Sequence, residues 1–513
     1  MSVSTDAATP PDTGSSEDIA TLAKGGRTNI FGFVLRLAAR LPFLFIAGRS
    51  YGPEIVGRFA LAVLVVELAA LLATLGLKRG LAQALAETGR PHTHVVWDAM
   101  VVALIVSGVA SGVLMAFPQA MYPNSAVIGF ERFLPLIVFA IAGSDVALAA
   151  LAYRHNIKAS VTARAIIEPW TISIAAWGLV YVSARDGLII AYVLSMLAAL
   201  VASLVPLIKS YGLPHGWVPH PTHIFALAQR NAPLAGADAI EWGTRNVDRF
   251  ILGLLFAPSV VGIYYMAQQV ASLPQKLKTS FDPILGPVVT QSLTEGNTEA
   301  VARQVRQVGF WIMAAQAALA LAGGIPAEGV MGVIGPEFVS GAAALCFLLV
   351  AEVLASTGAV SEVGLVYTAR HRNLMVSMLL LGFQIALSFV LVFVARDLGL
   401  SEIWQAAAPA AALAISLTCG SLIKARMLSK ILGAPAAEIR WPFVWAVLAG
   451  SIVAWTFTKL PPEYEWAQLS VGIPVTLIVY FFVILVWAFG PADRALFKKT
   501  GKETPTLPDR DVI

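Results

Sequence analysis

The chain has 513 residues, of which 58% are hydrophobic and 13% charged, and its net charge at neutral pH is +4. Soluble domains carry about 25% charged residues, so this composition excludes a water-soluble protein and indicates lipid as the solvent. The two cysteines, Cys346 and Cys419, both lie in apolar runs and give neither a disulfide framework nor a metal-ligand spacing.

The first 25 residues are polar and acidic, and they contain Asp6, Asp12, Glu17 and Asp18. Segments rich in Ser, Thr, Asp, Pro and Gly bury too little apolar surface to fold, so the sequence predicts a disordered cytoplasmic N-terminus at 1–25. This segment lacks the short apolar core of a cleaved signal peptide, so we expect the first apolar run to remain as a helix.

Apolar runs long enough to span a membrane, roughly 20 residues each, follow one another along the chain. They predict an all-α membrane protein of about fourteen transmembrane helices. These lie near 27–48, 58–77, 95–117, 132–152, 162–182, 187–208, 231–256, 261–285, 308–327, 339–361, 374–395, 404–423, 442–459 and 467–489.

The distribution of basic residues predicts the orientation. With a cytoplasmic N-terminus, 25 Lys and Arg residues lie in or beside cytoplasmic segments, 6 lie on the other face, and 4 lie inside spans. Because cytoplasmic loops carry an excess of Lys and Arg, we expect both termini to be cytoplasmic. The small positive net charge reflects this topology and does not indicate nucleic-acid binding.

The longest loop, at 209–230, contains His215, His220 and His223 and lies between the sixth and seventh spans. We interpret it as a solvated cytoplasmic linker rather than as a metal site. The predicted domains are therefore the N-terminus at 1–25, a six-helix bundle at 26–208, the linker at 209–230, a second six-helix bundle at 231–430, two additional transmembrane helices at 431–490 and a cytoplasmic tail at 491–513.

Two turns suggest an internal repeat. Residues 51–59 read YGPEIVGRF and residues 256–264 read FAPSVVGIY, so Pro53 matches Pro258 and Gly57 matches Gly262. Each turn follows the first helix of its half, and six helices separate them, so the halves share one orientation. Parallel repeats of this kind hold their substrate site at the interface between the halves. The alternative is that Pro-x-x-x-Gly is ordinary turn chemistry.

The seventh span carries charges at mid-membrane, where each costs about 3 kcal/mol and is a functional-site hypothesis by default. Steps of three and four residues place most of them on one helical face, which must point at protein or water. The charged residues are Asp238, Glu241, Arg245, Asp248 and Arg249. The alternative is that they form structural ion pairs, such as Glu241 with Arg245.

Further candidates lie in other spans. Arg36 and Arg40 form an i,i+4 pair in the first span without an acid on the same face, so they need an anionic ligand or a partner elsewhere. Acidic candidates for ion coupling or ion pairs are Glu67, Glu352 and Glu362, and Asp145 in the fourth span is a further intramembrane charge. Lys276 either guards an entrance or only extends to the interface.

Four motifs in the correct order resemble bacterial polysaccharide and O-antigen flippases of the Wzx type, within the multidrug, oligosaccharidyl-lipid and polysaccharide exporter superfamily. They are RSYGPEIVGRFAL from Arg49, LGLKRG from Leu75, NVDRFILG with the following APSVVGIYYMA from Asn246, and GPEF from Gly335. The resemblance covers roughly residues 22–430. Asp248 and Arg249 match the helix-seven pair of that family.

This resemblance implies two six-helix bundles in a V shape, with two extra C-terminal helices, around a central cavity. It also implies a bacterial inner-membrane flippase that moves undecaprenyl-pyrophosphate-linked oligosaccharide by alternating access. Arginines would bind the pyrophosphate, since guanidinium groups suit its charge; the candidates are Arg36, Arg40, Arg245 and Arg249, with Lys276. We expect no enzyme activity and no cofactor, coupling to H⁺ or Na⁺, the polysaccharide polymerase machinery as a partner, and no nucleic acid.

Alternatives remain open within and beyond this fold. Lipid II or a cationic drug could be the cargo, although the Arg36–Arg40 pair argues against a drug exporter. A polysaccharide polymerase or ligase would carry a large outer loop with catalytic groups, and the outer loops here are short. A major-facilitator transporter would show a Gly-x-x-x-Asp-Arg type of signature after the second span, and this chain has Lys78 and Arg79 there instead.

Overall fold

The computed structural model contains helices throughout. It describes residues 13–278, 282–438, 440–461, 465–490 and 493, and it describes the backbone alone at 13–40, 157, 276–278, 282–284, 287 and 465. Every regular element in these ranges is a helix, as the composition predicts.

The N-terminal half contains seven α-helices. They are α1 (Thr13–Ala73), α2 (Leu77–Ala86), α3 (His92–Ala116), α4 (Ile137–Tyr153), α5 (Ile157–Val161), α6 (Glu168–Leu179) and α7 (Gly187–Tyr211). A π-helical turn at Thr162–Ile167 joins α5 to α6, and a 3₁₀ turn at Gly129–Leu136 leads into α4.

The C-terminal half contains eight α-helices, and three more follow it. The half consists of α8 (Pro221–Leu255), α9 (Pro258–Lys278), α10 (Asp282–Thr294), α11 (Thr298–Gly324), α12 (Ala327–Ile334), α13 (Ala342–Thr368), α14 (Arg370–Asp397) and α15 (Glu402–Leu432). The last three are α16 (Trp441–Phe457), α17 (Glu465–Ala467) and α18 (Ile473–Val483).

Each of the fourteen predicted spans overlaps at least one helix in the described residues, and the protein is a multi-pass membrane protein. Within the described residues, 9 helical stretches are long and apolar enough to cross a membrane. The count is lower than fourteen because the kinked α1 continues into α2 as one stretch and α16 is short. The predicted fifth span and the two that α8 and α9 form, the seventh and eighth, are also not among the nine stretches.

Helix α1 contains two arms that meet at Gly52. Gly52 has φ 77° and ψ 169°, a left-handed conformation that glycine adopts without a Cβ penalty. Pro53 then begins the second arm, where its missing N–H costs nothing. The sequence Tyr51-Gly52-Pro53 therefore produces the sharp turn that the motif predicts between the first and second spans.

The internal repeat extends beyond the two matching turns. The same offset that carries Pro53 onto Pro258 carries the second arm of α1 onto α9 and the start of α2 onto the start of α10. It also places the start of α3 within one residue of α11, and α4 begins where α13 begins. The first four spans of each half are therefore built on one plan, as the short sequence match predicts.

The two repeat-related turns pack against each other, in what we call the turn contact (Pro53, Gly57, Pro258, Gly262). A Cβ on Gly57 would lie 1.7 Å from the Pro258 carbonyl oxygen, and one on Gly262 would lie 2.0 Å from the Pro53 carbonyl oxygen. Only glycine permits backbones to approach this closely. The reciprocal geometry places both turns on the same side of the protein.

A second contact between the halves, the α2–α8 contact, lies at the other end of the second arm of α1. Gly80 of α2 packs on Asn231 of α8, and a Cβ at Gly80 would lie 1.7 Å from the Asn231 side-chain oxygen. Arg230 of α8 also forms an ion pair with Glu87, which follows α2. The halves are thus closed on each other at both contacts.

The structure corrects two predicted boundaries. Residues 13–25, expected to be disordered, begin α1, and runs such as Ile-Ala-Thr-Leu-Ala-Lys favour a helix. The linker expected at 209–230 contracts to 212–220, because α7 continues to Tyr211 and α8 begins with a proline at its first position. Residues 1–12, and the predicted tail except Asp493, lie outside the described residues.

Candidate functional site: a charged cavity in the N-terminal half

A cavity of about 520 Å³ lies among the helices of the N-terminal half, within the range of about 300–1,000 Å³ that is usual for ligand pockets. The side chains that line it are charged, polar and apolar. They are Glu67, Leu71, Lys78, Ile141, Asp145, Leu148, Ala149, Ser160, Arg164, Glu168, Tyr192, Met196 and Trp242. All except Trp242 belong to the N-terminal half.

Arg164 is the centre of the charged lining. Its guanidinium donates to the Asp145 carboxylate of α4, and its Nη1 lies 2.8 Å from Glu168 Oε2 at the start of α6. Lys78 Nζ lies 3.6 Å from the other oxygen of Asp145. In a medium of low dielectric, an unpaired charge is costly, so the four groups neutralise one another in pairs.

Helix geometry explains the position of Arg164. Pro169 lacks an N–H, and its ring would clash with the carbonyl oxygen four residues earlier, so a regular α-helix cannot pass through this segment. The turn at Thr162–Ile167 opens into a π-helix instead. Such π turns occur mostly as single turns and often at functional sites.

Tyr192 and Glu67 form another part of the lining. The Tyr192 hydroxyl donates to Glu67 Oε1 at 3.4 Å, and the tyrosine ring packs edge-on against Phe59 with the ring centroids 5.7 Å apart. Glu67 and Phe59 both lie on the second arm of α1. This arm therefore supplies a carboxylate to the cavity and also orients the tyrosine that binds it.

Two of the predicted acids of the seventh span, Asp238 and Glu241, face α2 rather than the cavity. Arg79 Nε lies 2.9 Å from Asp238 Oδ1, and Arg79 Nη2 lies 2.7 Å from Glu241 Oε2. Both Asp238 oxygens are buried without a hydrogen bond of good geometry, so charge attraction, not alignment, holds the Arg79–Asp238 pair. These two pairs are part of the α2–α8 contact.

The suggested pairing of Glu241 with Arg245 within the seventh span is wrong. Arg245 Nη1 donates to Glu352 Oε1 of α13, and Glu241 is bound by Arg79 instead. Arg245 therefore ties α8 to α13 within the C-terminal half. Each residue of the expected i,i+4 pair instead binds an oppositely charged side chain on a neighbouring helix.

Asp248 and Arg249 lie in a buried network at the α8–α9 contact. Asp248 is 0% exposed and accepts a hydrogen bond from the Tyr264 hydroxyl. The Arg249 guanidinium lies 5.2 Å from the centre of the Tyr265 ring and donates to Asn246 Oδ1 at 2.8 Å. Neither Arg245 nor Arg249 is among the residues that line the cavity.

Other predicted site residues have separate positions. Glu362 Oε2 lies 3.1 Å from Lys424 Nζ, which links α13 to α15. Of the predicted acids, Glu67 and Asp145 line the cavity. The side chains of Arg36, Arg40 and Lys276 lie outside the described residues, although their backbones are helical, and their role in substrate binding stays a prediction.

The sequence reasoning missed Arg164 and Glu168 as site residues. Arg164 lies near the start of the predicted fifth span and is one of the 25 basic residues that the predicted topology places in or beside cytoplasmic segments. The available signal was the i,i+4 spacing of Arg164 and Glu168 just before Pro169, inside a segment long enough to span. Asp145 was recognised as an intramembrane charge, but its partner was not.

Comparisons with solved structures show the fold. The chain is 12% identical to the lipid II flippase MurJ in an inward closed conformation, with a TM-score of 0.68 over 89% of this chain and 97% of that chain. It is 14% identical to an inward-facing multidrug resistance MATE family transporter of the MOP superfamily, with a TM-score of 0.61 over 78% and 98% of the two chains. A MOP superfamily transporter from Pyrococcus furiosus is 13% identical, with a TM-score of 0.52 over 83% and 97%.

These three proteins are described as transporters or a flippase, so the comparisons give no support to the polymerase or ligase alternative. A search of curated proteins found no match. The family model described as "Polysaccharide biosynthesis protein" matches residues 28–291, just over half of the chain. With this match and a fold shared with MOP superfamily transporters, the chain belongs to the polysaccharide biosynthesis protein family.

Proposed function

We propose that the protein is a flippase that carries an undecaprenyl-pyrophosphate-linked oligosaccharide from the cytoplasmic to the periplasmic leaflet of a bacterial inner membrane. The observation that carries this proposal is the charged cavity inside an apolar bundle of the polysaccharide biosynthesis family. Its carboxylates, cations and hydroxyls offer hydrogen-bonding groups of both kinds to a polar headgroup that lipid cannot solvate.

The headgroup and the lipid tail make different demands. Oligosaccharide hydroxyls need hydrogen-bond partners, whereas a long prenyl chain is most stable in the bilayer. A cavity that opens sideways to lipid meets both demands, and rocking of one half against the other would move the headgroup across. We propose that Arg36 and Arg40 bind the pyrophosphate, and that H⁺ or Na⁺ is the coupling ion.

A genetic experiment tests this function. Deletion of the gene should cause one lipid-linked oligosaccharide to accumulate on the cytoplasmic leaflet, and analysis of that lipid identifies the cargo. Accumulation of lipid II would instead favour the cargo named for the matched flippase. Loss of drug resistance without accumulation of any lipid-linked glycan would reject the proposal.

A further inference from the structure

The cavity carries no excess of positive charge among its described lining side chains. Three carboxylates (Glu67, Asp145, Glu168) face two cations (Lys78, Arg164), and the cations are already paired with the acids. A pyrophosphate is bound by cationic donors that are free to form charge-assisted hydrogen bonds. This lining therefore suits a neutral polyhydroxyl group better than it suits a phosphate.

Carboxylates accept hydrogen bonds, whereas guanidinium and ammonium groups donate them. A sugar hydroxyl both donates and accepts. It can therefore donate a hydrogen bond to an acidic side chain and accept one from a neighbouring basic side chain. Tyr192 and Ser160 add hydroxyls that donate and accept. The paired charges and the hydroxyls thus offer several hydrogen-bonding groups to a ligand, and the ligand needs no net charge to bind them.

Trp242 is the one lining residue that α8 contributes, and it is half-buried. Its indole N–H donates no hydrogen bond to any residue in the described part of the chain. The face of an indole ring carries partial negative charge, so it attracts the C–H groups on the apolar face of a sugar ring. The indole N–H lies in the plane of the ring, so it can donate to a hydroxyl that lies beside the indole edge, on a neighbouring sugar.

We infer that the cavity is the sugar subsite of the proposed lipid-linked substrate, and that Trp242 is its stacking platform and a determinant of glycan recognition. The inference rests on the proposed function. In this arrangement the glycan lies in the cavity, and the pyrophosphate lies outside this set of paired charges. Because Trp242 lies on the opposite half from the other lining residues, a bound sugar would contact both halves.

The test compares two lipids with the purified protein in detergent: undecaprenyl pyrophosphate, and the lipid-linked glycan extracted from the deletion strain. Wild type should bind the glycan-bearing lipid more tightly. Trp242→Ala should weaken binding of the glycan-bearing lipid by about tenfold, in the range of aromatic contacts, and leave binding of undecaprenyl pyrophosphate unchanged. Trp242→Phe, which retains an aromatic face but lacks the N–H, should lie between the two.

Trp445→Ala is the matched control, because Trp445 of α16 is 60% exposed on the outer surface of the bundle and distant in sequence from the cavity lining. Equal loss for both lipids in Trp242→Ala, or no loss for either, would overturn the inference. If wild type itself shows no binding of either lipid, the proposed function fails. If wild type binds and flips the glycan lipid while Trp242→Ala is indistinguishable from it, the sugar subsite alone fails.

Discussion

Arg164 combines two roles that can be separated, since it is both the counter-ion of two acids and a lining residue of the cavity. Removing one partner of a buried ion pair costs about 3–5 kcal/mol, because the remaining charge is left in a low dielectric, whereas removing all partners is tolerated. Stability and transport should therefore respond differently to single and combined substitutions at this cluster.

We expect Arg164→Leu to lower the unfolding temperature in detergent and to abolish glycan export. Adding Asp145→Asn and Glu168→Gln should restore most of the stability, since no carboxylate is then unpaired, but should not restore export. Thermal unfolding and export are measured for the wild type, for Arg164→Leu and for the triple variant. Full export by the triple variant would show that the cluster serves only to hold α4, the π turn and α6 together.

The Arg230–Glu87 ion pair supplies a contrasting pH prediction, because it is exposed and lies outside the spans. Hydrogen bonds from Arg230 and Gln83 lower the pKa of Glu87 below its ordinary value. A carboxyl group with a lowered pKa keeps its stabilising contribution above that ordinary value and loses it only as the pH falls through the lowered value. Arg230→Ala should therefore have the same small effect on thermal unfolding at pH 6 and at pH 8; a change between them would contradict the assignment.

At the scale of single residues, the sequence predicts which charged side chains lie inside the spans, but it does not predict which of them pair with each other. The apolar surroundings of Asp145 and Glu67 single them out, because a charge in a span is costly. The pairing of charges depends on which helices are neighbours in the fold. The spacing of charged residues along one helix does not reveal which helices these are. Glu241 therefore binds Arg79 across the halves, although Arg245 lies only one turn away along the same helix.

Among the elements, the second arm of α1 and helix α9 meet in the turn contact. A methyl group on either glycine would overlap a backbone carbonyl oxygen of the other turn. Backbone cannot move aside as a flexible side chain can, so the two helices must separate. If the halves rock during transport, they can close at the turn contact only because Gly57 and Gly262 have no side chain there.

We predict that Gly57→Ala destabilises the closed arrangement by about 1–3 kcal/mol through overpacking and reduces export, and that Gly262→Ala has a similar effect. The matched control is Gly112→Ala in α3, where no atom lies within 4 Å of the added methyl group. Cysteine pairs placed across the contact report its opening through cross-linking yield. Equal yields in Gly57→Ala and Gly112→Ala would show that the contact does not limit closure.

The repeat is the feature of element scale that the sequence predicts best. The backbone conformation and close packing of the turns require particular residues, such as Gly57 and Pro53, and these residues recur in the sequence. The helices between the turns need only be apolar, so their sequences do not have to match. The matching turns therefore reveal a plan shared by four spans of each half. The π turn at Thr162–Ile167 has no such signature apart from Pro169.

At the scale of the whole molecule, the α2–α8 contact lies next to the cavity, because Lys78 of α2 and Trp242 of α8 both line it. Arg79 binds both Asp238 and Glu241, and Lys78, the neighbouring residue, lines the cavity. Loss of Arg79 leaves the buried Asp238 carboxylate without its cation, which favours hydration and separation of α2 from α8.

We expect Arg79→Ala to increase the rate at which a water-soluble maleimide labels Ser160→Cys, a cavity-lining position, in a protein with Cys346 and Cys419 replaced by Ser. Arg79→Lys retains the charge and should label at close to the wild-type rate. An unchanged rate in Arg79→Ala would show that water enters the cavity by another route.

Orientation in the membrane follows from the basic residues and stays a prediction. Cysteine introduced at Lys209 should resist labelling from outside intact cells, and cysteine at Glu463 should react, because the 25-to-6 distribution of basic residues places 209 in the cytoplasm. Strong external labelling at 209 would invert the topology and with it the proposed direction of transport.

The central claim is most directly tested with purified protein in vesicles that contain the lipid-linked glycan extracted from the deletion strain. Glycan in the outer leaflet is detected by a membrane-impermeant sugar-modifying reagent. The account predicts that the wild-type protein makes the inner-leaflet glycan accessible to the reagent, whereas Arg164→Leu with Asp145→Asn and Glu168→Gln does not. Glycan that stays inaccessible in vesicles with folded wild-type protein, supplied with pH and Na⁺ gradients of either sign, would contradict the account.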